Sequence, residues 1–179
     1  KDMYAQAIGS GPVMDYLSQT GLDALRGAEI LGTVTENYSS NVEYASNGFA
    51  KAMKGAAQVL QADIGTRICY TQHGRYDAHT NGIALQEGLL TDACGGIYDF
   101  YQDMKQANKG DDVLMFVFTE FGRRVRDNGN GTDHGSGGVA FMIGDAVEGG
   151  HYSEYPSLNP EDLIEGDLAF NLDFRSLYT

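Results

Sequence analysis

Apolar residues recur at helical spacing in three stretches of the chain. Over 3–30, Leu17, Leu22, Leu25 and Ile30 supply the spacing, while Gly9, Gly11, Pro12 and Gly21 interrupt it. That pattern predicts two short helices with a break near Pro12. The polar run 33–43 predicts a loop, and Ser46 is a candidate N-cap. Phe49, Met53, Ala56, Ala57 and Leu60 then line one face of an amphipathic helix over 47–63, with Gly65 as its stop. A long helix is predicted over 83–107 from Leu85, Leu89, Leu90, Ile97, Phe100, Tyr101 and Met104, ended by Lys109 and Gly110.

Three other stretches read as strands. Residues 67–72 are rich in β-branched and aromatic types. Residues 113–119 (VLMFVFT) form a continuous apolar run, as in a strand buried on both faces, and 139–143 (VAFMI) form another. Residues 151–170 are irregular, with one short helix at 160–164, and 173–178 begin a final helix or short strand. Helices alternating with buried strands are the α/β pattern, a mostly parallel sheet flanked by helices. Functional loops in such sheets sit at the carboxyl ends of the strands. Two long polar loops fall there, after residue 72 and after residue 119.

Composition narrows the function classes. An apolar fraction of 42% is enough for a packed core. Lys plus Arg is 12 against Asp plus Glu at 25, a net charge of -13, which disfavours nucleic acid and anionic membrane surfaces as partners. No apolar run approaches the roughly 20 residues that span a bilayer. Cys69 and Cys94 belong to no CxxC motif, so they read as small buried hydrophobes rather than zinc ligands. The chain opens at Lys1 without a signal-peptide pattern and enters a helical pattern at once, so a natural start further upstream, with a targeting segment lost, is expected.

The two polar loops concentrate the candidate chemistry. They hold His73, His79 and His134; His151 lies just beyond the last predicted strand. Asp77 and His79 are two apart, so in an extended segment both point to one side. Glu120 stands at a strand end, followed by the adjacent pair Asp133 and His134. Neighbours chelate together only where the backbone is irregular, which the glycines at 129, 131, 135, 137 and 138 permit. Each pair alone reads first as polar residues in surface loops; their convergence at strand ends brings a divalent metal level with that reading. Arg123, Arg124 and Arg126 form the one basic cluster, either an anion clamp or a solvated loop paired with carboxylates. No GxxxxGK(S/T) phosphate loop and no GxSxG elbow is present, and DNGNGTDHGSG lacks the register and closing Glu of an EF-hand.

Several segments resemble a known family in the right order. The run from Thr119 to Gly150 matches at Glu120, Phe121, Gly122, Arg123, Asn128, Gly129, Asp133, His134, Gly135, Gly149 and Gly150. RYDAHTNG matches at Asp77, His79 and Asn81, and LDFRSLY resembles a closing Asp-Phe-Arg segment. Over about 44–179 the chain resembles the domain-of-unknown-function 1501 family, bacterial, mostly exported proteins related to alkaline phosphatases and sulfatases.

The resemblance implies an alkaline-phosphatase-like, mostly parallel α/β sheet, present as an incomplete copy without its N-terminal half. Residues 1–179 would then be one α/β domain, the C-terminal part of a larger one. It implies a metal-dependent hydrolase of phosphate or sulfate esters, acting on a small anionic ester, in an exported or periplasmic protein. Asp133 and His134 would bind one metal, zinc or manganese, and Asp77 and His79 another. Glu120 would be a further ligand or lie behind one, and Arg123 would bind the anion or hold the site. The nucleophile would lie outside this chain. The alternative is a non-catalytic exported binding or structural protein on a degenerate phosphatase-like fold.

Overall fold

A computed structural model describes residues 11–178 of the protein. The first helix among the described residues is α1, Pro12–Asn37. Pro12 opens it rather than breaking it, because a first-turn residue needs no backbone donor. The part of the first predicted helix before residue 11 lies outside the described residues. At its other end α1 runs through residues expected to form a loop. There Thr33 and Thr35 donate to the carbonyls of Ile30 and Gly32, and Asn37 donates to Thr33, so the polar side chains bond back onto their own helix.

Helix α2, Gly48–Gln61, is capped by Asn47, not Ser46: the Asn47 side chain accepts from the Ala50 N–H at 2.8 Å. The same side chain donates to Asp92 at 3.0 Å, tying the cap to helix α3, Gly82–Gln106. The core forms where α2 and α3 pack, around Met53, Ala57, Phe100 and Met104, with Phe49, Leu60, Ile97, Val113 and Met115 against it. Gly96 lets the helices approach, since a Cβ there would stand 2.8 Å from the Phe49 ring. The predicted face of α2 coincides with the core, as do Ile97, Phe100 and Met104 of α3, whereas Leu90 is exposed.

One buried charge organises the helix packing. Asp103 is buried on α3 and accepts from the hydroxyls of Tyr38 at 2.5 Å and Tyr44 at 2.9 Å, and from the Gln61 amide at 3.0 Å. Three donors from the chain between α1 and α2 and from α2 thus satisfy one carboxylate, as a buried charge requires.

The strands depart from expectation. Strand β1, Met115–Val117, and strand β4, Phe141–Ile143, pair antiparallel, with Phe116 opposite Met142. Between them β2, Gly122–Asp127, and β3, Thr132–Gly135, form an antiparallel hairpin inside the stretch expected to be a loop. Its turn closes with the Asn128 N–H on the Gly131 carbonyl at 2.9 Å, and Gly129 adopts φ +98°. Residues 67–72, expected to be a strand, carry no regular secondary structure and belong to no ladder.

Among the described residues there are two two-stranded antiparallel ladders and no parallel pair. An apolar run sets neither direction nor cover, and β4 returns antiparallel to β1. Leu114, Phe118, Val139 and Phe141 are exposed, so these strands are not covered on both faces. Cys69 and Cys94 are free and exposed, against the expectation of buried thiols. Cys69 lies on the segment outside both ladders, and Cys94 on a solvent-facing part of α3.

Burial, together with the hydrogen bond to Asp103, pushes the Tyr38 phenol up to about 12. A raised folded value means the folded chain holds a proton that the unfolded chain has lost. Stability is therefore complete below the ordinary phenol value of about 10 and falls as pH rises towards about 12. Denaturant titrations at stepped alkaline pH should show that fall; a flat profile would contradict it. Asp103→Ala, which orphans three donors, should cost on the order of 3 kcal/mol in the same assay.

Candidate metal centre

Two pieces of chain build the site. The first is the turn before α3, where the Ala78 N–H donates to the Tyr76 carbonyl at 2.9 Å, a three-residue turn centred on Asp77. Asp77 and His79 reach each other through this turn rather than along a straight strand. The second piece is the hairpin. His134 on β3 lies directly opposite Arg123 on β2. Directly opposed residues share a face, and both side chains meet Asp77. Strict alternation would send Asp133 to the other face, but the ladder is irregular between Arg123 and Asp127, and Asp133 also reaches the turn.

One donor atom from each of Asp77, His79 and His134 lies within 4.8 Å of the other two. Asp77 Oδ1 stands 2.7 Å from His134 Nε2 and 3.0 Å from His79 Nε2. The rings of His79 and His134 stack at 5.0 Å. Phe121 stacks on His134 at 4.2 Å and 7°, and the Arg123 guanidinium lies 4.8 Å over Phe121. Behind His79, Nδ1 meets Asp133 Oδ1 at 3.1 Å, and the Asn128 amide donates to the same oxygen at 3.1 Å and to the His79 carbonyl at 3.3 Å. Gly131 also packs here, since a Cβ on it would stand 2.9 Å from the His79 carbonyl oxygen.

The hydrogen bond from His134, with the charges of His134, His79 and Arg123 beside it, holds the Asp77 carboxyl below the usual carboxylate range. The hydrogen bond from His79, then that from Asn128, does the same for Asp133. Arg123 is fastened in place: Nη1 donates to the Thr132 carbonyl at 2.7 Å and Nη2 to the Tyr76 carbonyl at 2.8 Å, with Asp77 Oδ1 at 3.4 Å. It stitches the hairpin to the turn.

Two imidazoles and a carboxylate are a donor set that suits zinc and manganese. Ligand atoms around a tetrahedral ion with bonds of about 2.0–2.1 Å stand roughly 3.3 Å apart. The observed 2.7 and 3.0 Å need an opening of a few tenths of an ångström. Three protein ligands would leave a position for water or substrate. The side chains are 57%, 47% and 47% exposed for Asp77, His79 and His134, so that position faces solvent.

Of the residues singled out in the sequence, the structure thus brings Asp77, His79 and His134 together, with Asp133 behind His79. Glu120 is exposed and outside this group. His73 pairs with the Tyr76 hydroxyl at 2.7 Å and packs on Phe49, serving the helix face instead. His151 is exposed and apart from the group. Arg124 lines a cavity of about 280 Å³ with Ser136, Asp167 and Phe170, separate from the imidazoles. Sequence reasoning assigned no role to Asn128, Phe121 or Tyr76. The Asn-Gly turn signal at 128–129 would have pointed to the first, by revealing a hairpin that sets Asn128 beside Asp133.

Comparison with known proteins agrees with these motifs. The chain belongs to the family described as protein of unknown function (DUF1501), which matches residues 29–165 and so includes both pieces of the site. No curated protein sequence and no solved structure matches the chain.

Because the His134 bond is the largest cause of the Asp77 shift, His134→Ala should return the Asp77 carboxyl towards its usual range in metal-free protein. Carboxyl NMR titration reads this directly. The Asp77 contact contributes above the ordinary carboxylate pKa and is lost as pH falls through the depressed value. An unchanged titration in the variant would refute the pairing.

Proposed function

We propose that the chain holds a divalent ion, zinc or manganese, through Asp77, His79 and His134. We further propose that it forms part of a metal-dependent hydrolase of phosphate or sulfate esters. The observation that carries the metal reading is the convergence of these three donor atoms within 4.8 Å from segments far apart in sequence. The proposal extends to the larger context implied by the family resemblance: an alkaline-phosphatase-like domain of which this is the C-terminal part, in an exported protein, with the nucleophile outside this chain.

An ion in such a site supplies Lewis acidity towards an ester oxygen and lowers the pKa of a bound water. The protein's own residues set the rest. Arg123 holds the turn against the hairpin and keeps a positive charge beside Asp77. Arg124 and Arg126 are exposed on β2, where they can meet an anion. Phe121 covers one face of His134 and limits its rotation.

One feature favours a second reading, a metal-dependent binding protein without catalysis. The three side chains are about half exposed, and electrostatic catalysis gains most where water is excluded.

Elemental analysis of the full-length protein should return near-stoichiometric zinc or manganese, lost in an Asp77→Ala, His134→Ala double variant. No metal in the wild type, even after loading with both ions, would overturn the metal reading. Given bound metal, hydrolysis of model phosphate or sulfate esters that disappears on chelation supports the hydrolase. Bound metal without turnover across such a panel supports the binding protein. Among the described residues no helix is long and apolar enough to cross a membrane.

A further inference from the structure

We infer that Asp133 is a positioning residue for His79 and not itself a metal ligand, an inference that rests on the metal reading above. The imidazole of His79 meets a carboxylate at each nitrogen: Asp77 at Nε2, 3.0 Å, and Asp133 at Nδ1, 3.1 Å. A neutral imidazole carries one N–H and one lone pair. It can donate to only one of these carboxylates. With Nδ1–H given to Asp133, Nε2 presents its lone pair on the side where Asp77 and His134 converge, as a ligand must. An ion on Nε2 and a carboxylate on Nδ1 then face opposite edges of one ring. Asp133 accordingly stands outside the three-residue group while touching one of its members.

The hairpin is built to hold that carboxylate. Asn128 donates to Asp133 Oδ1 at 3.1 Å and to the His79 carbonyl at 3.3 Å, bracketing His79 from backbone to ring. Gly131 clears space for the same carbonyl. The hairpin turn thus delivers a carboxylate, already oriented by an amide, to the far nitrogen of a ligand. A carboxylate there fixes the tautomer and ring orientation and raises the basicity of the coordinating nitrogen, which in metal sites is typically worth 10–100-fold in affinity.

The test compares Asp133→Ala and Asp133→Asn with His134→Ala and wild type in the full-length protein, using zinc and a competing chromophoric chelator. A positioning role predicts that both Asp133 variants still bind as many zinc ions as wild type, about 10–100-fold more weakly. The visible spectrum of the cobalt-loaded protein should keep its band positions, because the ligand set is unchanged. The His79 Nδ1–H resonance of the zinc-loaded wild type should be protected from exchange, and that protection lost in Asp133→Ala. Loss of the ion in Asp133→Ala as complete as in His134→Ala, or a changed cobalt spectrum, would make Asp133 a ligand and overturn the inference. Unchanged affinity and unchanged His79 exchange would overturn it as well. A wild type that takes up no zinc removes the metal reading and this inference together, whereas zinc uptake unaffected by the Asp133 variants removes this inference alone.

Discussion

Asp77 Oδ1 stands 2.7 Å from His134 Nε2, 3.0 Å from His79 Nε2 and 3.4 Å from Arg123 Nη2. Two of those groups come from the hairpin, more than 45 residues further along the chain. One oxygen therefore joins the turn before α3 to the β2–β3 hairpin. It does so with charge, where the surrounding surface offers little burial. Exposed ion pairs contribute little stability one at a time. The join holds because Arg123 also takes two backbone carbonyls, one from each piece, in a fork that a single charged contact lacks.

The site inherits its rigidity from the helices. The Tyr76 hydroxyl reaches the Leu89 carbonyl at 3.3 Å, and Leu89 is buried on α3. His73, on the other side of the same hydroxyl, packs against Phe49 at the start of α2. The turn carrying Asp77 is thus pinned to the helix pair at Tyr76 and to the hairpin at Arg123. The core around Met53, Phe100 and Met104 includes none of the candidate ligands, and the helix that carries Phe100 and Met104 begins at Gly82, three residues after His79.

What was legible in the sequence follows from which signals are local. The apolar faces of α2 and α3 have a period that only a helix satisfies, and both helices fall where the period puts them. The candidate ligands were legible because Asp and His at short spacing are few in the chain. The strands were less so. The run at 113–119 sets apolar character without saying which segment pairs with it or in which direction. The hairpin within 120–138 was hidden because glycines and charges dominate it, and its only periodic cue is the Asn-Gly turn. Asp103 was invisible for a different reason. A buried carboxylate looks like any surface Asp until Tyr38, Tyr44 and Gln61 are brought round it by the packing of α1, α2 and α3.

The two halves of the functional reading stand on different physics. Ion binding stands on ligand geometry, and exposure does little harm there, because the donors surround the ion and replace its water directly. Turnover of an anionic ester asks for more. Positive charge must gather where the substrate's charge grows, and solvent weakens every such interaction by screening it. Arg123, Arg124 and Arg126 all stand on β2, but Arg123 alone of the three lies opposite His134 and beside Asp77, whereas Arg124 lines the separate cavity. The net charge of -13 repels anions at a distance, so any attraction of an ester must come from charge held close to the ion. The hydrolase reading therefore asks more of Arg123 than of the other two, since its charge is the one held beside the donors that would bind the ion.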